Sequence, residues 1–269
     1  MCPRTRDGEV AVSGQSGVFP ADAASLRAMW LMAACGCNAV TEVPASRWDE
    51  VVLPEPLASR VRHGGFVRGA ELADNSAFAI SPAEAAAMDP CQRLLLEHGY
   101  AALHNSRLDR SALGGSLTGV FLGFAGTEFA QVLAASPAGS SVYAATGASL
   151  SIASGRLSYA LGLHGPCVTH DTACSSALVA CHAGLRALQL DECAVSLSAG
   201  VTVNLAPNCS ISFAVAGMTS VRGRSHTFDA RADGYARGEA CACSTLRCES
   251  SGWCVSAACR WQRRAPGRS

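Results

Sequence analysis

Residue types and spacing point to chemistry in the stretch Asp171-Thr172-Ala173-Cys174-Ser175-Ser176-Ala177-Leu178. A thiol set between a strand and the first turn of a helix lies near unpaired backbone N–H groups and the positive end of the helix dipole. Both favour the thiolate, the form that attacks electrophiles. The small neighbours Ala173, Ser175 and Ser176 permit a tight turn there, and Leu178, Cys181, Leu185 and Leu188 give the following helix an apolar face expected to anchor it. On residues alone a second reading stays open. The chain has 14 cysteines, and a buried, inert Cys174 satisfies the same pattern.

A cysteine nucleophile commonly works with a histidine, and the chain has seven. His170 lies four residues before Cys174 on the expected strand, about 13 Å away at roughly 3.3 Å per residue. His182 lies eight residues on in the expected helix, about 12 Å away at roughly 1.5 Å per residue. Neither reaches the sulfur from a regular element. His164 and His226 fall in loops and stay open as partners or as satisfied surface groups.

The elements that must position Cys174 alternate in type. Val10–Gly14 reads as a short strand, and Leu26, Met29, Trp30 and Ala33 mark a helix beginning near Ser25. The segment 43–56 is Pro-spaced and irregular. Ser81-Pro82-Ala83-Glu84 has the form of a capping box, and Asp89-Pro90 repeats the device, so two helices follow in tandem, the second to about Leu103. Strands are expected over 119–124, 168–172 and 194–199, with helices over 127–134, 148–160 and 175–190 between or after them. That alternation predicts parallel pairing in a layered α/β fold. After Gly238 the apolar character decays, and residues 248–269 are expected to form a loose tail behind a domain spanning 1–247.

Composition narrows the function classes. Hydrophobic residues make up 49% of 269 and charged ones 16%, enough apolar material for a sizeable core and too little charge for intrinsic disorder. Basic and acidic residues balance at 21 each, which argues against nucleic acid and anionic membrane as partners. Every basic residue is arginine, so Schiff-base and P-loop lysine chemistry are excluded from these residues. Neither a signal peptide nor a membrane span is read, and the expectation is a cytoplasmic protein with reduced thiols. Cys241, Cys243, Cys248, Cys254 and Cys259 lack paired C-x-x-C spacing, which favours free thiols over structural zinc.

The Cys174 stretch resembles the active-site signature of the β-ketoacyl synthases, in particular the ketosynthase domains of modular polyketide synthases. The resemblance runs from about Val10 to Leu246. It includes Phe19-Pro20, Thr41-Glu42-Val43-Pro44, Arg47-Trp48-Asp49, Met88-Asp89-Pro90 with Gln92–Glu97, and Gly119–Gly123. It continues through Gly165-Pro166, Ala216-Gly217-Met218, Phe228-Asp229, Ala232–Tyr235 and Arg237-Gly238-Glu239. Each is weak alone; their number and order together are specific.

The resemblance implies the first half, with part of the linker to the second, of a thiolase-like layered α/β fold, usually a homodimer or in contact with other synthase domains. It implies that Cys174 is the nucleophile that accepts an acyl chain from the phosphopantetheine thioester of an acyl carrier protein, with no bound cofactor or metal. The family then decarboxylates a malonyl-type extender and joins its carbanion to the acyl-cysteine, helped by two histidines of the second half, whose motifs have no match in these residues. Acyl transfer without complete condensation is therefore one expectation, and a noncatalytic scaffold or carrier-binding decoy the other, with an unstable partial product as the third. Two departures from the family are Cys91, where glutamine is common, and Ala240, where glycine is common and the turn is expected to change. Arg222, Arg224 and Arg231 are candidates for a carrier surface or the pantetheine phosphate, or a solvated loop.

Overall fold

The computed structural model describes residues 9–49, 51–126 and 128–248. Of the tail expected over 248–269, all but Cys248 lies outside them, as do Cys254 and Cys259. No helix among the described residues is long and apolar enough to cross a membrane.

The chain opens with β1 (Val10–Val18), longer than the strand expected there, and α1 (Leu26–Ala34), whose Ser25 cap accepts from the Ala28 N–H at 3.1 Å. Short elements follow: β2 (Thr41–Glu42), α2 (Leu57–Val61) and β3 (His63–Gly65). The tandem helices are α3 (Pro82–Ala87) and α4 (Pro90–Asn105). Ser81 Oγ accepts from Glu84 N at 3.2 Å and Asp89 Oδ1 from Cys91 N at 2.7 Å, with proline at the first helical position of each. The Glu84 carboxylate serves Arg156 instead of closing a capping box. Next come α5 (Arg110–Leu113), β4 (Thr118–Phe124), α6 (Glu128–Ala134), α7 (Ala144–Gly147) and α8 (Leu150–Leu161). The last third holds β5 (Cys167–His170), α9 (Ser176–Gln189), β6 (Val195–Thr202), α10 (Pro207–Val215), β7 (Arg237–Gly238) and β8 (Ala240–Cys248).

Five strands form the main sheet in the order β1-β8-β6-β4-β5, and β2, β3 and β7 form a small second sheet. The expected parallel pairing holds where β4 lies between β5 and β6. It fails at β8, which runs antiparallel to both β6 and β1. The expected decay after Gly238 is thus corrected: Ala240 opens a nine-residue interior strand. Its inward positions Cys241, Cys243 and Thr245 are buried at period two, but small residues give that alternation little hydrophobic contrast.

One face of the sheet carries α4 and α8. Leu94, Leu95, Leu103 and Leu157 meet Val120, Leu122, Phe124, Leu197 and Val201 in the largest core cluster. Each fully buried leucine contributes about 1.5–3 kcal/mol relative to exposure. The opposite face carries α9, which approaches closely through small residues. A β-carbon at Gly184 would fall 2.2 Å from Ser196 Oγ, and one at Gly123 would fall 2.3 Å from Ala177 N. Glycine at these two positions lets α9 lie directly on the sheet, Gly123 against the start of the helix and Gly184 at its middle.

A buried ion pair ties the two sheets together. Glu239 accepts from Arg47 Nε at 2.8 Å and Nη2 at 2.9 Å, from Val67 N at 2.7 Å and from Asn204 N at 3.0 Å. The Arg47 and Glu239 side chains are 5% and 0% exposed. The carboxylate hydrogen bonds hold the Arg47 guanidinium above its ordinary range despite burial.

Candidate active site

β5 ends at His170, and a single 3-10 turn over Ala173–Ser175 leads into α9. Ala173 adopts φ 54°, the left-handed region, which costs a residue with a β-carbon about 1–3 kcal/mol and persists only where the surroundings enforce it. Here they do. Ala173 N donates to Asp171 Oδ1 at 3.1 Å, Thr172 N to Ser176 Oγ at 2.8 Å, and Ser176 Oγ to Ala173 O at 2.7 Å. Ser175 Oγ also donates to Thr172 O at 2.8 Å. The small hydroxyl residues flanking Cys174 therefore build the turn that presents it.

Cys174 is exposed and borders an open cavity of about 1020 Å³. Phe129 of α6, Cys209 and Phe213 of α10, and Tyr235 line the same cavity. Burial pushes the Tyr235 phenol up, so it remains a neutral hydrogen-bonding group. Burial likewise raises the thiols of Cys91, Cys193 and Cys209, that of Cys193 to about 11. Cys241 is raised well above its ordinary value by its hydrogen bond with Cys243. These four are held as thiols. Of the exposed cysteines, Cys174 and Cys181 border the cavity, and Cys174 is the one at the turn before the helix. The buried Cys174 that the residues alone left open is not what the fold contains.

The anchoring face expected for α9 is corrected. Leu178 is 74% exposed and Cys181 exposed, Leu185 is half-buried, and of the four expected residues Leu188 is buried. Ser176, Ala180, Gly184 and Ala187 form the rest of the buried stripe, because a helix this close to the sheet admits only small side chains at the contact.

No histidine is among the described residues lining the cavity. His170 ends β5 opposite Gly123, and His182 is exposed on α9. His164 donates its backbone N–H to Ser116 O at 2.8 Å, and His226 lies in the loop before Asp229. Cys91 is buried at the start of α4 beside Asp89, and both line the cavity. Arg231 spends its charge on Asp229, with contacts of 2.9 and 2.7 Å, and holds that carboxyl down at about 2. Arg224 donates to Gly223 O.

Sequence reasoning assigned no chemistry to Glu128 and Arg237, which also line the cavity. Three successive amides after β6 are taken by two carboxylates: Asn204 N by Glu239, and Leu205 N and Ala206 N by Glu128 Oε2 at 2.7 and 3.1 Å. Arg237 donates to Glu128 Oε1 at 3.1 Å and to Ser210 Oγ at 2.7 Å, and stacks 5.4 Å over the Phe213 ring. Tyr235 and Arg237 belong to motifs that carried resemblance without a role, and Glu128 gave no signal.

The comparisons with known proteins agree with this geometry. Residues 7–251 match the family described as Beta-ketoacyl synthase, N-terminal domain. A phenolphthiocerol/phthiocerol polyketide synthase polypeptide of Mycobacterium tuberculosis is 43% identical over 86% of this chain and 15% of its own length. The spectinabilin polyketide synthase system protein NorC of Streptomyces orinoci is 42% identical over 86% of this chain and 10% of its own. The ketosynthase from module 6 of the bacillaene synthase of Bacillus subtilis 168 superposes with TM-score 0.78 at 33% identity, covering 88% of this chain and 40% of that one. An oxazolomycin ketosynthase domain from Streptomyces albus JA3453 gives 0.82 at 31% identity, covering 90% and 42%. The chain thus spans a small part of the curated relatives and less than half of these solved ketosynthases, whose thiolase-like α/β fold it shares. On sequence and on fold alike, the chain belongs to the β-ketoacyl synthase family and carries the N-terminal part of a ketosynthase domain of the modular polyketide synthase type.

Proposed function

We propose that Cys174 accepts an acyl chain from the phosphopantetheine thioester of an acyl carrier protein, the loading step of polyketide chain extension. The observation that carries this reading is an exposed cysteine on an enforced left-handed turn, at the start of a helix and on the edge of a large cavity. The thiolate sulfur attacks the thioester carbonyl, the new C–S bond forms as the pantetheine C–S bond breaks, and the released pantetheine thiolate takes up a proton. The Thr172, Ala173, Ser175 and Ser176 amides already donate within the turn, so the remaining backbone N–H groups around Cys174 are the proposed donors for the transient oxyanion. The partner is the carrier protein, alongside neighbouring synthase domains and a second copy of the chain.

Condensation asks for more, because a carbanion and its enolate oxygen must be stabilised as the malonyl carboxylate leaves. The described lining of the cavity supplies no histidine for that. The 269-residue polypeptide is expected to become acylated at Cys174 by an acyl-pantetheine thioester and to form no β-ketoacyl product from a malonyl donor. Mass spectrometry reads both in one incubation, with Cys174→Ala as the blank. Limited alkylation at neutral pH should mark Cys174 ahead of Cys35, Cys37, Cys167 and Cys181. A labelled set that spares Cys174 sinks the nucleophile assignment. Carrier binding without transfer would favour the scaffold reading.

A further inference from the structure

α10 has no side-chain cap of its own: Ala206 occupies the cap position and Pro207 the first helical position. The two amides leading into it, Leu205 N and Ala206 N, donate instead to Glu128, which enters from α6, while the preceding amide of Asn204 is met by Glu239. The linker from β6 to α10 is thus slung between two carboxylates, one fully buried, the other 11% exposed and paired with Arg237. A carboxylate at a helix start is also favoured by the helix dipole. Arg237 then fixes the body of α10 through Ser210 and Phe213. Cys209 and Phe213, both on α10, line the cavity that Cys174 borders, and Glu128 and Arg237 line it themselves. A small displacement of this helix alters the depth of that cavity without touching the cysteine turn.

We propose that Glu128 and Arg237 are positioning residues that fix α10 and thereby set the length of acyl chain that Cys174 accepts. The proposal deepens the acyl-transfer reading and rests on it for the word acyl. Its test does not, because cavity depth can be read with simple electrophiles. The full chain is treated with N-ethylmaleimide or N-octylmaleimide, and the rate of Cys174 modification by each is followed by peptide mapping. Glu128→Ala and Arg237→Ala are expected to shift the octyl-to-ethyl rate ratio at least about fivefold, as expected when an apolar pocket changes by a methylene or more. Glu128→Gln, which keeps the side-chain volume at the cavity and an acceptor for the amides but loses the charge paired with Arg237, should shift it less than Glu128→Ala yet measurably. An unchanged ratio in Glu128→Gln would mark a direct lining effect and overturn the positioning role. The double variant should go no further than the larger single one, as for two residues acting as a unit. Glu84→Ala, which breaks the comparable Glu84–Arg156 pair elsewhere, should leave the ratio unchanged. An unchanged ratio in the folded variants overturns the proposal. So does an equal fall in both rates, or an equal shift in Glu84→Ala, since either marks a merely structural role. If Glu128→Ala does not fold, Glu128→Gln and Arg237→Ala decide the matter. Failure of thioester acylation in the wild type would instead count against the acyl-transfer reading and leave the maleimide ratio intact as a measure of α10.

Discussion

The sheet presents similar strands to both sides, yet its two faces are covered in opposite ways. Against α4 and α8 it sets Val120, Leu122, Phe124, Leu197 and Val201, and leucines fill the space between. Against α9 it sets Phe121, Gly123, Ser196, Ser198 and Gly200, and the helix answers with Ala180, Gly184 and Ala187. Large side chains hold layers apart and generate stability by area buried; small ones let backbone approach backbone and generate accuracy of placement. The first face maintains the fold. The second fixes where Cys174 stands, and it leaves Leu178 and the cavity open.

This contrast can be broken or sharpened by substitution. The largest effect is expected at the clamp that joins the sheets. Glu239→Ala strands a nearly buried Arg47 and orphans two amides, and should cost about 3–5 kcal/mol in urea unfolding. A loss below about 1 kcal/mol, the scale of an exposed pair, would mean that water replaces the carboxylate. On the leucine face, Leu103→Ala removes a fully buried side chain of α4 and should cost about 2–5 kcal/mol.

Asp89 tests the same face by pH. It caps α4, and burial lifts its carboxyl to about 6. Because the folded value exceeds the unfolded one, the folded state binds the proton more tightly, and stability falls as pH rises from about 4 to 6. Asp89→Asn keeps the cap and should remove that fall, so the variant gains up to about 3 kcal/mol on the wild type above pH 6. Parallel stability curves for the two proteins would contradict this. The smallest effect belongs to the α9 face: Leu178→Ala, at an exposed position, should move stability by less than about 0.5 kcal/mol.

The features legible in the sequence were local ones. Ser81-Pro82 and Asp89-Pro90 announced α3 and α4 because capping needs residues three apart at most, and the Cys174 turn was visible in its small hydroxyl neighbours. The features that escaped depend on distant partners. The two amides leading into α10 are held by Glu128 from another helix, so Pro207–Val215 shows no start signal beyond its proline. β8 is an interior strand written in alanine, cysteine and serine, where burial comes from the side chains packed around it and not from its own hydropathy. The sidedness of α9 does not follow its leucine positions, because Gly123 and Gly184 set which face can approach the sheet.

The pairing of β1 with β8 has a consequence for how the protein comes into being. Val10 finds its partner in Cys248 and Val18 in Cys241, so the first strand described waits for the last one described. At about 5–20 residues per second, synthesis takes roughly ten to fifty seconds to cover that interval. Throughout it the nascent chain carries β1 without its ladder partner, and the sheet closes only when the late strand slots between β1 and β6. Contacts so distant in sequence slow folding and prolong the exposure of unpaired edges. Recombinant yield should therefore depend on translation speed and chaperone supply more steeply than the depth of the leucine core alone would lead one to expect.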